Sequence, residues 1–519
     1  MVLNGDNLRI EDVAYLVSSP EISVRIANSA ITAVKKSYNF LQKALTKKII
    51  YGVNTGFGPM ASHIVGRDQL VELQENLIYS HATGMGEPLD EHYVLASMAV
   101  RLNTLAKGFS GVSLPLIKHL QTYINHRIIP VVPEHGAVGT SGDLTQLAHI
   151  ALALIGEGGV YYKGKRQVAS AVLRRLRIKP YKLRPKEGLA LINGTSMMTG
   201  IAALVCHEAR RLISLSVRTG ALSLELVHGF NDSISERLHS LRPHRGQIVV
   251  AQAMRDILAS SRLLRDRRTF QRMFEVNDDT HKIPTEVQEV YSLRCIPQIL
   301  GPVYDTLVKT SKEVEIEINS VTDNPIIDFK GKNFLHGGNF HGDYIAAALD
   351  QLKMTIIKLI LLSERRINFF LNRNVNRYFP PFMNLKKLGL NLGLQGLQFV
   401  ATSTAAQSQT LAFPQYVHSI PTNADNQDIV SMGTDAALLT MKVIENAYIL
   451  LAIELVTLAQ AVDFLGEKEK LSRSSKDLFE GIRRVFPKLT EDRIIVEELK
   501  RAVDLTNKVP ILNIRWQVD

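Results

Sequence analysis

Apolar residues recur at helical spacing through most of the chain between residues 196 and 466. The longest of these stretches cover residues 201–226, 344–370, 390–411 and 435–465. Because several of them have little polar face, the pattern predicts helices that are enclosed by other helices. We therefore expect a mainly α fold with a long central helical bundle.

The first 195 residues differ, because shorter helical stretches there are joined by glycine-rich connections. Residues 159–162, which precede Lys163-Gly164-Lys165, predict a β-hairpin. After Lys468 the chain returns to charged amphipathic helices. These changes predict three consecutive domains: a smaller mixed N-terminal domain at 1–195, the central bundle at 196–467 and a helical tail at 468–519.

The apolar stretch 447–465 contains Glu454, Gln460 and Asp463, which would be costly to bury in lipid. It therefore favours a core helix over a membrane span. The first residues show no basic region followed by an apolar run, so we expect no secretory signal and a cytoplasmic protein. Cys206 and Cys295 lack a second Cys or a His at metal-site spacing, which predicts core thiols and no metal site.

A net charge of +11 raises the question of a nucleic-acid or acidic membrane partner. The most basic stretch, 174–186, contains Pro180 and Pro185, with only Tyr181 as a stacking aromatic. Since it matches no nucleic-acid motif, a solvated connection is the better interpretation. We expect neither nucleic acid nor membrane as a partner.

Residues 136–144, Gly-Ala-Val-Gly-Thr-Ser-Gly-Asp-Leu, are the central candidate for chemistry. One interpretation is a turn in which Asp143 caps the helix that follows. A hydrolase nucleophile elbow is disfavoured, because Asp143 stands where that pattern requires glycine. In a third interpretation the amide nitrogen of Gly142 attacks the carbonyl of Thr140. Loss of two waters, one of them from Ser141, then leaves an electrophilic methylidene-imidazolone ring.

Further motifs accompany this triad: a glycine-bounded loop over 51–58 and segments around Asn193, Arg294 and Phe340. In this order they resemble the histidine and aromatic amino acid ammonia-lyase family over nearly the whole chain. The family's triad is usually Ala-Ser-Gly, whereas here Thr140 comes first, with its side chain outside the ring-forming bonds.

The resemblance implies a fumarase/aspartase-like helical fold and a carbon–nitrogen lyase. It also implies a prosthetic group, 4-methylidene-imidazol-5-one (MIO), formed autocatalytically from Thr140, Ser141 and Gly142. Tyr51 heads the loop in which the family places the catalytic base that removes a β proton. Tyr291 matches a tyrosine placed near the ring and the substrate amine.

Arg294 matches the arginine that grips the substrate carboxylate, a task that suits a planar guanidinium because it pairs with two oxygens. The further substrate-binding positions that the resemblance implies are Asn193, Gln288, Asn324 and Phe340. Asp323-Asn324-Pro325 is equally a good turn or helix start. The glycine-rich segment around Phe340 lacks the strand and lysine of a phosphate loop.

Ser80 and His81 match the family's selectivity position, where a polar pair indicates a substrate ring that forms hydrogen bonds. An unpartnered buried imidazole would be penalised, so this pair argues against phenylalanine. Gln427 and Ile429 stand where histidine lyases typically have Glu and His. A neutral amide and an apolar neighbour suit a phenol, and the sequence resembles the Flavobacterium-type tyrosine ammonia-lyases most closely.

The expected reaction is therefore elimination of ammonia from L-tyrosine to give p-coumarate. Elimination from L-histidine to give urocanate is one alternative, and a tyrosine 2,3-aminomutase that returns ammonia to the β carbon is another. A catalytically silent helical structural or binding protein is the non-enzyme alternative. The expected partner is a small-molecule amino acid. The resemblance also implies a homotetramer whose active sites are each shared among subunits.

Overall fold

The structure of the protein is a computed structural model, which describes residues 1–274 and 280–516. Helices α1 to α20 are, in order, Ile10–Ser18, Asn28–Ala44, Leu70–His81, Glu91–Ala106, Leu114–His126, Leu144–Leu154, Ala169–Leu176, Glu187–Ile192, Ser196–Leu226, Glu236–Ser240, Arg245–Leu258, Arg267–Gln271, Tyr291–Arg294, Ile296–Ile318, Asp343–Leu371, Arg373–Asn376, Gln395–Thr410, Gly433–Leu465, Arg473–Val485 and Val496–Thr506. Strands β1 to β9 are Val2–Leu3, Arg25–Ile26, Met85–Pro88, Ile129–Pro130, Pro133–His135, Gly159–Tyr162, Lys165–Val168, Ile326–Asp328 and Asn333–Leu335.

The chain divides into two compact units, each assembled from three segments. Unit 1 comprises residues 1–207, 310–350 and 414–439, and unit 2 comprises residues 208–309, 351–413 and 440–519. This division differs from the three consecutive domains that the sequence predicts. The reason is that four of its boundaries fall inside the long helices α9, α14, α15 and α18, and not in loops.

The long helices agree with the apolar periodicity, because α9, α15 and α18 cover three of the four predicted stretches to within a few residues. The mainly helical fold is thus confirmed. The stretch predicted at 390–411 is wrong at its start, since α17 begins only at Gln395. The N–H groups of Leu392 and Gly393 instead donate to the carboxylate of Asp492, at 2.7 and 3.0 Å.

The predicted hairpin is present as β6 and β7, which pair antiparallel from Gly159 opposite Val168 to Tyr162 opposite Lys165. Its two turn residues have φ values of 53° and 70°, as a tight hairpin turn requires. Strand β4 extends this pair to a three-stranded sheet. The remaining sheets have two strands each: β1 with β2 in parallel, and β3 with β5 and β8 with β9 antiparallel.

In unit 1, α4 and the first part of α9 approach closely. A Cβ atom at Gly200 of α9 would lie 2.6 Å from the backbone nitrogen of Ser97 in α4. Only glycine permits that separation. The contact fixes the start of α9, next to which the candidate site is built.

In unit 2, a buried ion pair joins α15 to α18. Arg366 donates to both carboxylate oxygens of Glu454, from Nε at 2.6 Å and from Nη2 at 3.1 Å. Ser363 donates to the same carboxylate, and Thr219 of α9 accepts from Arg366. Because such a pair is costly to break once buried, it fixes the register of these helices.

Among the residues that the structure describes, α18 is the helix with the length and hydropathy to cross a membrane. Of its most apolar window, 78% is buried inside the protein. That degree of burial is typical of a core helix, as the polar residues within 447–465 predict.

Candidate active site

Eight of the predicted site residues line one cavity of about 580 Å³ in unit 1. They are Tyr51, Ser80, His81, Thr140, Ser141, Gly142, Asn193 and Gln427. These positions lie on loops and helix ends that are far apart in the sequence. The fold therefore brings together most of the side chains that sequence motifs single out.

The triad lies in a compressed turn. Its central residue, Ser141, has a φ of 55°, in the left-handed region that disfavours side-chain-bearing residues, and Gly142 has a φ of 77°. A Cβ atom at Gly142 would lie 2.0 Å from the carbonyl oxygen of Gly194. Position 142 therefore requires glycine for both its conformation and its neighbour.

The opposite side of the turn is closed by the segment that precedes α18. Met432 N–H donates to the carbonyl of Val138 at 3.1 Å, and a Cβ atom at Gly139 would lie 2.0 Å from Ser431 Oγ. The triad turn is thus held between Gly194 and the 431–432 backbone.

Asp143, directly after the triad, is fully buried. It accepts the N–H groups of Met197 and Met198 at 2.8 and 2.9 Å and the hydroxyl of Thr434 at 2.7 Å. Burial raises the pKa of Asp143 to about 6, although these hydrogen bonds and the charge of Arg101 act in the opposite direction. Asp143 stands at the N-cap position of α6, but its side chain makes no capping hydrogen bond there. The carboxylate instead caps the start of α9 and contacts the start of α18.

Two donors converge on the carbonyl oxygen of Ser141. Gly194 N–H donates to it at 3.0 Å, and the side-chain amide of Asn193 donates at 3.4 Å. The carbonyl of Gly194 in turn accepts from Asp143 N–H at 2.9 Å. Paired N–H donors on one carbonyl oxygen stabilise negative charge that develops there.

Tyr51 begins the glycine-bounded loop at the edge of the cavity. Its phenolic oxygen accepts Gly58 N–H at 3.0 Å, and Gly52 and Gly58 have φ values of 63° and 51°. The left-handed glycines let the loop fold back on itself, and the hydrogen bond fixes the phenolic oxygen at the cavity wall.

His81 is the last residue of α3, where helix carbonyls lack partners. Its Nδ1 lies 2.9 Å from the carbonyl oxygen of Leu77. Because a carbonyl only accepts, Nδ1 carries the proton, and Nε2 of the neutral ring is an acceptor. Burial lowers the pKa of His81, which favours this neutral form. Ser80 Oγ lies 3.0 Å from the same Nδ1.

Gln427 reaches the triad from a tight hairpin in which Thr422 and Gln427 exchange backbone hydrogen bonds at 3.0 and 3.3 Å. Residues 423–425 form its turn, all with positive φ. Gln427 Nε2 donates to Ser141 Oγ at 3.1 Å, while its Oε1 accepts from the Thr422 hydroxyl. The side-chain amide is therefore held against the serine of the triad.

The described lining of this cavity does not include Gln288, Tyr291 or Arg294, which belong to unit 2. The Arg294 guanidinium lies 4.7 Å from the ring centroid of Tyr291, whose side chain is 68% exposed. Arg294 Nε is buried without a hydrogen-bond partner among the described residues. Gln288 lines another cavity, of about 450 Å³, within unit 2. The roles of these three residues remain predictions.

Asn324 and Phe340 lie in unit 1, although neither lines the cavity. Asn324 Oδ1 accepts Gly337 N–H at 3.0 Å and so supports the loop that carries the half-buried Phe340. The side chain of Asn324 therefore contacts the backbone of the segment that carries Phe340.

Sequence motifs did not single out Arg101, which is buried behind Asn193 and donates to its carbonyl at 2.6 Å. One signal was available: Arg101 is the single charged residue in the otherwise uncharged stretch 94–106. A charge in such a stretch needs buried partners.

The chain is similar to known proteins over nearly its whole length. The family described as Aromatic amino acid lyase matches residues 8–484. A histidine ammonia-lyase from Geobacillus sp. (strain WCH70) is 39% identical over 501 residues, covering 96% of this chain and 95% of the relative. A tyrosine 2,3-aminomutase from Chondromyces crocatus is 39% identical over 502 residues, covering 96% and 94%.

Among solved structures, the tyrosine aminomutase from Streptomyces globisporus superposes with a TM-score of 0.94 at 38% identity. The match covers 98% of this chain and 97% of that one. The matched family spans both the triad turn and the segment of Tyr291 and Arg294. The predicted fold class and ammonia-lyase class are thereby confirmed, and the chain belongs to the aromatic amino acid lyase family.

Proposed function

We propose that the protein eliminates ammonia from an aromatic L-amino acid whose ring carries a hydrogen-bond donor. The observation that carries this proposal is one cavity lined by the cyclisable triad, by Tyr51 and by His81, whose Nδ1 lies against the carbonyl of Leu77 and leaves Nε2 as the acceptor. The triad would supply the electrophile and Tyr51 the base for the elimination. His81 would select the substrate by the hydrogen-bond donor on its ring.

The family implies that Thr140, Ser141 and Gly142 form the MIO group, and the local structure fits it. The positive φ of Ser141 and the close approach of Gly142 to Gly194 give a tight turn. A tight turn is what the attack of the Gly142 nitrogen on the Thr140 carbonyl requires. Once formed, the ring would supply an electrophile that makes ammonia a better leaving group. Gly194 N–H and the Asn193 amide then stabilise negative charge on the Ser141 oxygen.

Tyr51 is the proposed base for the β proton of the substrate. Its oxygen is fixed at the cavity wall by Gly58 N–H, so that the proton acceptor is positioned before the substrate arrives. Arg294, as a guanidinium with an unpartnered buried Nε, is the proposed partner of the substrate carboxylate.

Two substrates fit the His81 acceptor, because a phenol hydroxyl and an imidazole N–H both donate. The relatives favour L-histidine: beside the Geobacillus protein, further histidine ammonia-lyases are 37% to 40% identical to this chain. The amide of Gln427 and the apolar Ile429 favour L-tyrosine, since neither offers the imidazole a charged partner. The tyrosine 2,3-aminomutase relative adds ammonia return to the β carbon as a second candidate outcome.

We further propose a homotetramer in which Tyr51 and Arg294 of one active site come from different subunits. Large apolar side chains are exposed on each unit, as expected of surfaces that another chain covers. In unit 1 they include Ile420 at 75% and Ile429 at 61%, and in unit 2 Leu390 at 73% and Phe399 at 66%.

Ring formation is tested by intact mass. We expect the wild-type protein to be lighter than the unmodified chain by two waters. Ser141→Ala removes the hydroxyl that leaves, and Gly142→Ala places a Cβ atom against Gly194, so both should have the unmodified mass. Thr140→Ala is the matched control and should still lose two waters. A wild-type protein of unmodified mass would contradict the proposal.

The substrate is tested by incubating the protein separately with L-tyrosine, L-histidine and L-phenylalanine. Ammonia, each unsaturated acid and any β-amino acid are measured. We expect kcat/KM for one of the two donor-bearing substrates to exceed that for phenylalanine at least about tenfold, because His81 would face the phenyl ring unpaired. A preference for phenylalanine, or no ammonia from any of the three, contradicts the proposed function.

Acid should weaken substrate binding through His81. Its pKa is lowered from 6.5, so the Nε2 acceptor is present at neutral pH and is lost only as pH falls below that value. We expect KM for the better donor-bearing substrate to rise by up to about tenfold as the pH falls below 6.5 and through the lowered pKa of His81. His81→Gln cannot titrate and should show a flatter KM profile; equal profiles for both proteins would argue against His81 as the acceptor.

The shared site is tested by subunit complementation. Tyr51→Phe and Arg294→Met should each be inactive as separate proteins. When the two chains are co-expressed, random mixing should restore roughly a quarter of the activity, because some sites then draw both intact residues. Light scattering should show four chains. An inactive mixed assembly, or a monomer, would rule out sites shared in this way.

A further inference from the structure

Arg101 is a buried cation behind the candidate site. It lies in α4, where residues 94–106 are all buried, and its own side chain is only 2% exposed. Burial lowers the pKa of Arg101 to about 10, so the group remains charged at neutral pH. Such a charge is costly to bury, and its hydrogen bonds show what compensates the cost.

The guanidinium binds backbone carbonyls at the end of α8. Nε donates to Ala190 O at 3.0 Å, and Nη2 donates to the same oxygen and to Asn193 O at 2.6 Å. The last carbonyls of a helix have no partner inside it, so Arg101 satisfies that of Ala190 and also binds the carbonyl of the C-cap residue Asn193. The planar fork thereby fixes the backbone of Asn193, whose side chain lines the cavity.

The third nitrogen of the guanidinium, Nη1, is buried without a hydrogen-bond partner among the described residues. A Cβ atom at Gly194 would lie 2.3 Å from it. Arg101 therefore packs directly against Gly194, the residue whose N–H binds Ser141 O and whose carbonyl lies against Gly142. A side chain at position 194 would displace the guanidinium or the triad turn.

We propose that Arg101 is a positioning residue for the electrophilic ring, which it serves by holding Asn193 and Gly194 so that both donors face the Ser141 oxygen. This inference rests on the proposed function. Arg101 touches neither the triad nor the substrate cavity in the described contacts, and it acts through the backbone that it binds.

The surrounding charges keep this arrangement in place. The carboxylates of Asp323 and Asp143 both favour the charged form of Arg101 and act to raise its pKa. Asp323 is itself fixed by the fully buried Lys186 at 2.8 and 2.9 Å, and Lys186 lies immediately before α8. The helix is therefore held at its start by Lys186 and at its end by Arg101.

The test compares Arg101→Lys and Arg101→Met in the full-length protein. The fraction of chains that have lost two waters gives the ring content, and kcat is expressed per ring-containing chain. We expect kcat per ring to fall about tenfold or more in Arg101→Met, and less in Arg101→Lys, while KM changes by less than about threefold. Arg366→Lys, which weakens the buried ion pair of unit 2, is the matched control. It should lower the melting temperature but leave kcat per ring unchanged.

A merely structural Arg101 predicts the pattern of the control, namely lower melting temperature with unchanged kcat per ring, and that result overturns the inference. If Arg101→Met does not fold, Arg101→Lys decides alone, because an ammonium cannot reproduce the planar fork. A folded variant that forms no ring supports the same positioning role during cyclisation. Failure of the proposed function looks different: the wild-type protein itself would then lack both water loss and ammonia release.

Discussion

One buried carboxylate ties the catalytic turn to the helices of unit 1. Asp143 follows the triad directly and accepts hydrogen bonds from Met197, Met198 and Thr434, at the starts of α9 and α18. Helix starts present unpaired N–H groups and partial positive charge, which is why a fully buried carboxylate is tolerated there. The positions of the turn and of both helix starts are therefore coupled through this residue.

Close contacts at two glycines position the backbone of the site. Gly142 must lack a Cβ atom because of the Gly194 carbonyl, and Gly194 must lack one because of Arg101 and Thr322. Arg101 thus packs against Gly194, and Gly194 packs against Gly142 of the triad. A loop built in this way gains rigidity without placing bulky groups next to the cavity.

Periodicity was sufficient to predict the helical fold, and the motifs that carry the family resemblance single out the triad, Tyr51 and Asn193, which line one cavity. The failures have a common cause. The start of α17 depends on Asp492, about a hundred positions away, and Asp143 caps α9 although α6 is its neighbour in sequence. Arg101 binds carbonyl groups, which every residue carries, so its partners leave no pattern in the sequence.

Gln427 contacts the serine of the proposed ring. Its amide nitrogen donates to the Ser141 hydroxyl, and its oxygen is anchored by Thr422. That hydroxyl is the group that departs as water when the proposed ring forms. Ring formation would therefore remove the partner of an amide nitrogen whose orientation Thr422 still fixes. In the proposed maturation, the Gln427 amide would restrain the serine before the ring forms and would afterwards be available to bind the incoming amino acid.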